Sequence, residues 1–278
     1  MTGTTDVTQG VVNYLDPHFV ANLVTTPEFY SEDTSRSTIV LRSATVPIQN
    51  ARPIRNSLSF DDQGFMLVDH KSAVTDFENS DEVQRLYAAE LERLILDLSG
   101  AAVVRVTPGF LLRFGEGSKK TGSRTNSRPG RFAHSDYSEV SAQKFAKARA
   151  PDGLELRPGQ RFAAFNIWRA VSHPPQDIPL AVCDPRSVSP TDCVTAYSVI
   201  DAPGAPEFRF ESTLFVHNPA HRWHYFRDMT RHEVLIFKAY DSDQSRPQCV
   251  PHSAFDDPGC PRGVPTRVSI EARAFAYF

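Results

Sequence analysis

The chain has 278 residues, 40% of them hydrophobic and 10% aromatic, with a formal net charge of −3. That length and apolar content suffice for one large globular domain. The slightly acidic balance argues against a nucleic-acid or membrane-surface partner, and no apolar run reaches the roughly 18 residues of a membrane span.

The first twelve residues, Met1 to Val12, are polar and lack the basic and apolar regions of a secretory signal. Residues 1–60 read as irregular chain with short extended pieces such as Ser37 to Arg42, interrupted by Pro47 and Pro53. A helix follows. Ser80 is its expected N-cap, and Asp81 and Glu82 in the first turn favour the helix dipole. Val83, Leu86, Leu91, Leu94, Ile95 and Leu98 form an apolar stripe at helical spacing, and Gly100 ends it. From Ala101 the pattern changes to short β-branched or aromatic runs, at 102–106, 110–114, 161–171, 180–183, 213–217, 223–226, 234–240 and 267–278. Many short strands after one helix predict a mainly β sandwich or jelly roll. We expect one domain over 1–278, with 1–100 as an N-terminal extension and covering helix and 101–278 as the core.

Residues 115–131 contain four glycines and five lysines or arginines, yet do not fit the phosphate-loop pattern GxxxxGK[ST]. The segment reads as a flexible basic flap that draws in an anionic co-substrate, or as a solvated loop with no role. The cysteines are Cys183, Cys193, Cys249 and Cys260, without a CxxC pair. They are expected to be reduced packing residues of a cytoplasmic protein.

His134-Ser135-Asp136 carries the most chemistry. On an extended strand residues i and i+2 face the same way, so His134 and Asp136 can present a nitrogen and an oxygen to one point. A distant histidine would complete a two-histidine, one-carboxylate face with open positions, the arrangement of non-haem Fe(II) oxygenases. Of nine histidines, His252 is the favoured third ligand and His221 the next. Arg267 and Arg273 lie on the following strand, six residues apart and so on one face. Arginine binds carboxylate in a planar fork, and Arg267, nearer the strand's start, is the favoured anion ligand. The alternative for both is a salt bridge, for instance to Glu271. The cluster His221, Trp223, His224 and Tyr225 is expected to line a substrate pocket, with Tyr137 beside the metal-type residues.

Several ordered blocks carry a family resemblance. They are Phe165 to Asp184, beginning Phe-Asn-Ile-Trp-Arg, then His221 to Phe226, Glu233 to Ser242, Pro251 to Pro258 and Arg267 to Arg273. Together they resemble the natural-product oxygenases that include the fungal gibberellin desaturase, hydroxylase/desaturases of mycotoxin clusters and a subunit of the bacterial cephem methoxylase. The resemblance covers about residues 10–278. It implies a double-stranded β-helix core and an enzyme dependent on Fe(II), 2-oxoglutarate and O2, which hydroxylates or desaturates an apolar terpenoid or polyketide. It implies His134, Asp136 and His252 as iron ligands and Arg267 as the residue gripping the distal carboxylate of 2-oxoglutarate. Asn166, Trp168 and Arg169 fall in the Asn-x-Trp-Arg block. The first two are expected beside the co-substrate and Arg169 in the substrate pocket. His224 stands where an aromatic residue is more usual.

Two rival readings are a non-catalytic jelly-roll partner subunit of a biosynthetic enzyme and a zinc cupin-like hydrolase or isomerase. A homodimer or a partner protein is left open.

Overall fold

In the computed structural model residues 6–278 are described; Met1 to Thr5, part of the polar start discussed above, lie outside them. Strands β1 (Val7–Leu15), β2 (Glu28–Tyr30), β3 (Leu41–Asn50) and β4 (Phe65–Asp69) come first. Then follow β5 (Val103–Val106), β6 (Leu111–Phe114), β7 (His134–Ser135), β8 (Phe162–Ala170) and β9 (Leu180–Cys183). The chain continues through β10 (Cys193–Ile200), β11 (Phe208–Phe215), β12 (Trp223–Tyr225), β13 (Glu233–Asp241), β14 (His252–Ala254) and β15 (Val268–Tyr277). One sheet has the order β1-β3-β12-β9-β14-β7-β11-β10-β2. The other runs β4-β13-β8-β15-β5, with β6 also on β15.

Residues from both sheets, among them Phe65, Trp168, Leu180, Val182 and Phe237, share one apolar cluster between them. This is the two-sheet jelly roll expected from the strand pattern. Its nine- and ten-residue central strands β8, β13 and β15 are buried almost end to end, as strands covered on both faces must be.

The helix over residues 80–99 covers the outer face of the smaller sheet. Leu91 and Ile95 are fully buried there against Phe165, Ile167, Val234 and Ile270. Its N-cap is Asn79, whose side chain accepts from the amides of Asp81 and Glu82, so Ser80 is the first helical residue rather than the cap. A π turn over Val83–Tyr87 widens the helix and brings Tyr87 against the sheet. Gly100 ends it at φ 67°, where a side chain would be strained.

The first hundred residues are not an extension. They supply β1 and β3 to the larger sheet and β4 to the smaller one. Pro47 lies inside β3, at the residue before β12 begins to pair with that strand at Ile48. One flank of β3 is unpartnered at that point, so the missing N–H costs no ladder bond. The helix Glu139–Arg149, capped by Ser138, was absent from the sequence reading. Its mean face is barely apolar, but Ala142 and Ala146 are fully buried against the ends of β8 and β15.

Candidate metal centre

His134 sits on the short strand β7, which pairs with β11 on one side and with β14 on the other. His134 and His252 are direct cross-strand partners, with ring centroids 4.2 Å apart. Asp136 follows two residues later. One ligand-type atom from each of His134, Asp136 and His252 lies within 4.8 Å of the other two. A three-residue cluster separated by more than a hundred positions in sequence is thus made by one ladder pairing and one i, i+2 step.

Each side chain is held from behind. His134 Nδ1 is 2.8 Å from the carbonyl of Phe132, and His252 Nδ1 is 3.4 Å from that of Val250. A carbonyl only accepts, so both Nδ1 atoms carry the hydrogen and both Nε2 lone pairs are left for a ligand. Asn166 Nδ2 donates to Asp136 Oδ2 at 2.6 Å and Arg273 Nη2 to Oδ1 at 2.8 Å. Burial alone would raise the Asp136 carboxyl, but the Arg273 guanidinium holds it well below the usual carboxylate range. Burial pushes His252 down to about 3, reinforced by the neighbouring His134, which burial also lowers. All three therefore stand in the protonation states that bind a cation, two neutral imidazoles and one carboxylate.

Alternation along two strands explains which predicted residues reach this point. On β15, Ser269, Glu271 and Arg273 share a face, opposite Trp168 and Asn166 of β8. Arg267, one residue before the strand, joins them and is 1% exposed. Its guanidinium carbon lies 5.6 Å over the Trp168 ring, and its Nη1 donates to Ser269 Oγ at 2.7 Å. Its Nε and Nη2 are buried with no partner. Burial pushes this guanidinium down to about 10, the reverse of a salt-bridged arginine. Glu271 is not its partner: that carboxylate pairs bidentately with Arg113, both contacts at 3.0 Å. Arg273 Nη2 is engaged by Asp136, and of the two arginines only Arg267 has donors that are fully buried and unpartnered.

Arg169 does not line a pocket. It is one residue out of phase with Trp168 and faces the covering helix, fully buried. There Nε donates to Tyr87 Oη at 2.9 Å and Nη1 to the carbonyl of His70 at 3.0 Å, and the carbonyl of Arg231 also accepts from it. Trp223 and Tyr225, expected in a substrate pocket, leave it by the same alternation. His224 pairs with Val182, as His252 does, which places those two on the inner face. Trp223 and Tyr225 flank His224 and turn to the opposite face, among Val12, Ile48 and Phe255. His221 is not part of the triad cluster. Its Nε2 donates to Asp192 at 3.1 Å and its Nδ1 accepts from the Tyr14 hydroxyl at 3.3 Å, while that hydroxyl oxygen accepts from Trp223 Nε1. Inner-facing His224 packs on Phe65 instead of joining the triad.

Two cavities meet at these residues. A small one of about 50 Å³ is lined by Asn166, Trp168, Leu180, Phe237, His252 and Arg273 among others. A larger one of about 420 Å³ carries His134, Asp136, Tyr137 and Arg273 on its wall, together with Phe132, Phe145 and Phe210. The volume is that of a small-molecule site. The loop 115–131 forms part of its wall. Arg113 donates to the carbonyls of Asn126 and Arg128, both at 2.8 Å, and so ties this loop to Glu271. Two of the loop's cations are already engaged, Lys120 with Glu78 and Arg131 with Glu116 and Asp256. Sequence reasoning passed over Arg113, although an arginine within Leu-Leu-Arg-Phe was the signal.

A family model described as an oxidoreductase/YMDC permease-like domain matches residues 12–277. The chain belongs to that family. Its relatives include the hydroxylase/desaturase CTB9 of Cercospora beticola, 31% identical over 254 residues that cover 84% of this chain and 76% of that protein. Another is the Fe(II)/2-oxoglutarate-dependent dioxygenase nvfI of Aspergillus novofumigatus, 28% identical, covering 84% of this chain and 82% of the relative. Among solved structures, the iron and alpha-ketoglutarate-dependent endoperoxidase NvfI superposes with a TM-score of 0.84 at 23% identity, over 100% of this chain and 99% of that one. That likeness shows the jelly-roll fold of the family. No helix among the described residues is long and apolar enough to cross a membrane.

Proposed function

We propose that this family member is an Fe(II)- and 2-oxoglutarate-dependent dioxygenase that hydroxylates or desaturates an apolar small molecule held in the larger cavity. His134, Asp136 and His252 hold the iron, and Arg267 takes the distal carboxylate of 2-oxoglutarate. The observation that carries the reading is the pair of buried, unpartnered donors on Arg267, which stacks on Trp168, a residue that lines the small cavity together with His252 of the two-histidine, one-carboxylate cluster. A buried guanidinium without an anion is costly, and a dicarboxylate co-substrate is the kind of ligand that relieves it. A zinc hydrolase shares the donor set but has no use for that arginine.

Iron with 2-oxoglutarate supplies oxidation of an unactivated C–H bond by O2, giving succinate and CO2 as co-products. The chain does the rest. His134, Asp136 and His252 would hold the iron from one side and leave room for co-substrate and O2 on the other. Asn166 and Arg273 fix the plane of the Asp136 carboxylate, and the carbonyls of Phe132 and Val250 fix the two imidazole tautomers. Trp168 stacks on Arg267 and, with Leu180 and Phe237, gives the smaller cavity an apolar side across from Asn166, His252 and Arg273. The aromatic wall of the larger cavity excludes water from the reacting carbon.

The triad, Arg267 and the walls of both cavities are built from residues of this one chain. A cytoplasmic setting is part of the same reading, with the four cysteines as thiols.

The test is anaerobic titration of iron-loaded protein with 2-oxoglutarate, following the weak visible charge-transfer band of the chelate. The band is expected in the wild type and lost in Arg267→Ala at matched concentrations. Fully iron-loaded wild type that gives no band overturns the reading.

A further inference from the structure

Five arginines line the larger cavity: Arg113, Arg128, Arg131, Arg149 and Arg273. Three are neutralised, Arg113 by Glu271, Arg131 by Glu116 and Asp256, and Arg273 by Asp136. Arg128 and Arg149 form no ion pair among the described residues. Arg128 is exposed on the loop, stacked against Gly122, and water can satisfy it. Arg149 is only half-exposed, and its Nε is fully buried with no acceptor.

Arg149 occupies the last turn of the helix Glu139–Arg149, four residues after Phe145, and so shares that residue's face. Phe145 is the hub of an aromatic wall. Its ring centroid lies 5.4 Å from Tyr137, 5.5 Å from Phe210 and 6.0 Å from Phe208. Phe208 is 46% exposed, so this wall reaches the cavity's mouth. A cation in a last helical turn complements the terminal carbonyls. That accounts for a positive charge at this place but not for a buried Nε lacking an acceptor beside a cavity.

We propose that the substrate is an amphiphilic acid, whose apolar ring system lies on Tyr137, Phe145, Phe208 and Phe210 while its carboxylate is held by Arg149. This rests on the larger cavity being the substrate site, as read above. Because His134 and Asp136 line the same cavity, anchoring the acid end selects which carbon faces them. Arg149 is thus a specificity-determining residue on an element that carries none of the triad.

The experiment uses metal-free protein in EDTA, so it does not depend on iron or turnover. Fluorescence titration with 1-pyrenebutyrate is compared with 1-pyrenebutanol, which has the same ring and chain but no charge. Wild type is expected to bind the acid about tenfold or more tighter than the alcohol, as a charge-assisted contact in a partly desolvated site provides. Arg149→Gln should bring the acid down to the affinity of the alcohol, and Arg149→Lys should keep part of the preference. Arg128→Gln should leave most of it. The proposal is overturned if wild type binds acid and alcohol equally, if it binds neither, or if folded Arg149→Gln keeps the preference. Should Arg149→Gln not fold, the wild-type comparison and Arg149→Lys still decide. Loss of the charge-transfer band with an intact acid preference would sink the oxygenase reading alone; the opposite pattern would sink the acid subsite alone.

Discussion

Arg273 reaches Asp136 through a single 2.8 Å contact from Nη2 to Oδ1, on the strand that also places Arg267. The two arginines share a face but not a job, one orienting a metal-type carboxylate and the other holding two buried donors without a partner. Replacing Arg273 by Leu should lower Fe(II) or Co(II) affinity about 10- to 100-fold, the usual loss when an outer partner of a ligand is removed. Arg267→Ala should leave metal affinity within a few-fold of wild type. Calorimetric metal titration of both variants checks the division.

Arg267 also makes a prediction about stability. An unpaired buried cation contributes nothing favourable until its anion arrives, so Arg267→Ala should lower the melting temperature of the ligand-free protein little. With 2-oxoglutarate at about a hundred times its dissociation constant, wild type should gain roughly 2.7 kcal/mol of stability. The variant should gain almost none. Thermal denaturation with and without 2-oxoglutarate, on metal-loaded protein under anaerobic conditions, gives both numbers.

Gly130 lies against His134. A Cβ built there would stand 3.1 Å from His134 Cε1, while the Gly130 carbonyl accepts from the amide of Ala254 at the end of β14. Gly130→Ala must therefore displace the imidazole or the strand pairing. Metal affinity should fall at least several-fold with only a small change in unfolding temperature. Unchanged affinity would mean that the ring has room to move.

Arg169 separates structure from chemistry. Tyr87→Phe removes one hydrogen bond to a buried guanidinium and should cost about 1.5–3 kcal/mol. Arg169→Met should cost more, because the carbonyls of His70 and Arg231 lose their donor as well. Neither should alter the affinity for 2-oxoglutarate in protein that remains folded. Denaturant titration beside the charge-transfer assay tests this.

Asp241 carries the acid sensitivity that we expect. Its side chain is fully buried, 2.6 Å from Lys238 Nζ and 2.9 Å from Arg161 Nη2. Burial would raise its carboxyl, but Arg161 and Lys238 hold it below the usual carboxylate range. The folded value is thus depressed relative to the unfolded value of about 3.9. The stabilisation it gives is fully present above that value and is lost as pH falls below it. Asp241→Asn should destabilise at neutral pH by about 3–5 kcal/mol, the cost of breaking a buried pair. The variant's stability should also fall less steeply than wild type between about pH 4 and 2, as measured by urea midpoints across that range.

What the sequence disclosed followed from period and spacing. The step from His134 to Asp136, the shared face of Arg267 and Arg273, and the covering helix closed by Gly100 are all local geometry. The errors were also local. Trp223, Tyr225 and Arg169 were grouped with the site for their proximity in sequence to promising residues, yet alternation turns each of them to the wrong face. The opening strands were hidden because Pro47 and a polar-apolar mixture look like loop until a neighbouring strand is known to cover only one flank. The helix that bears Phe145 and Arg149 has too weak an apolar face to announce itself. Its burial rests on alanines, which are equally at home in water.

The larger cavity has a division of labour between its walls. The triad side chains project from β7, the residue after it, and β14, pinned by three ladders and four hydrogen bonds. The aromatic wall comes from the start of β11, whose other end pairs with β7, from the helix Glu139–Arg149 and from Tyr137 next to Asp136. Substitutions at Phe145, Phe208 or Phe210 can reshape what fits while leaving the reacting centre as it is. A lineage of such proteins is free to change its product by altering one helix and one strand end, and a library confined to those positions is where retargeting should begin.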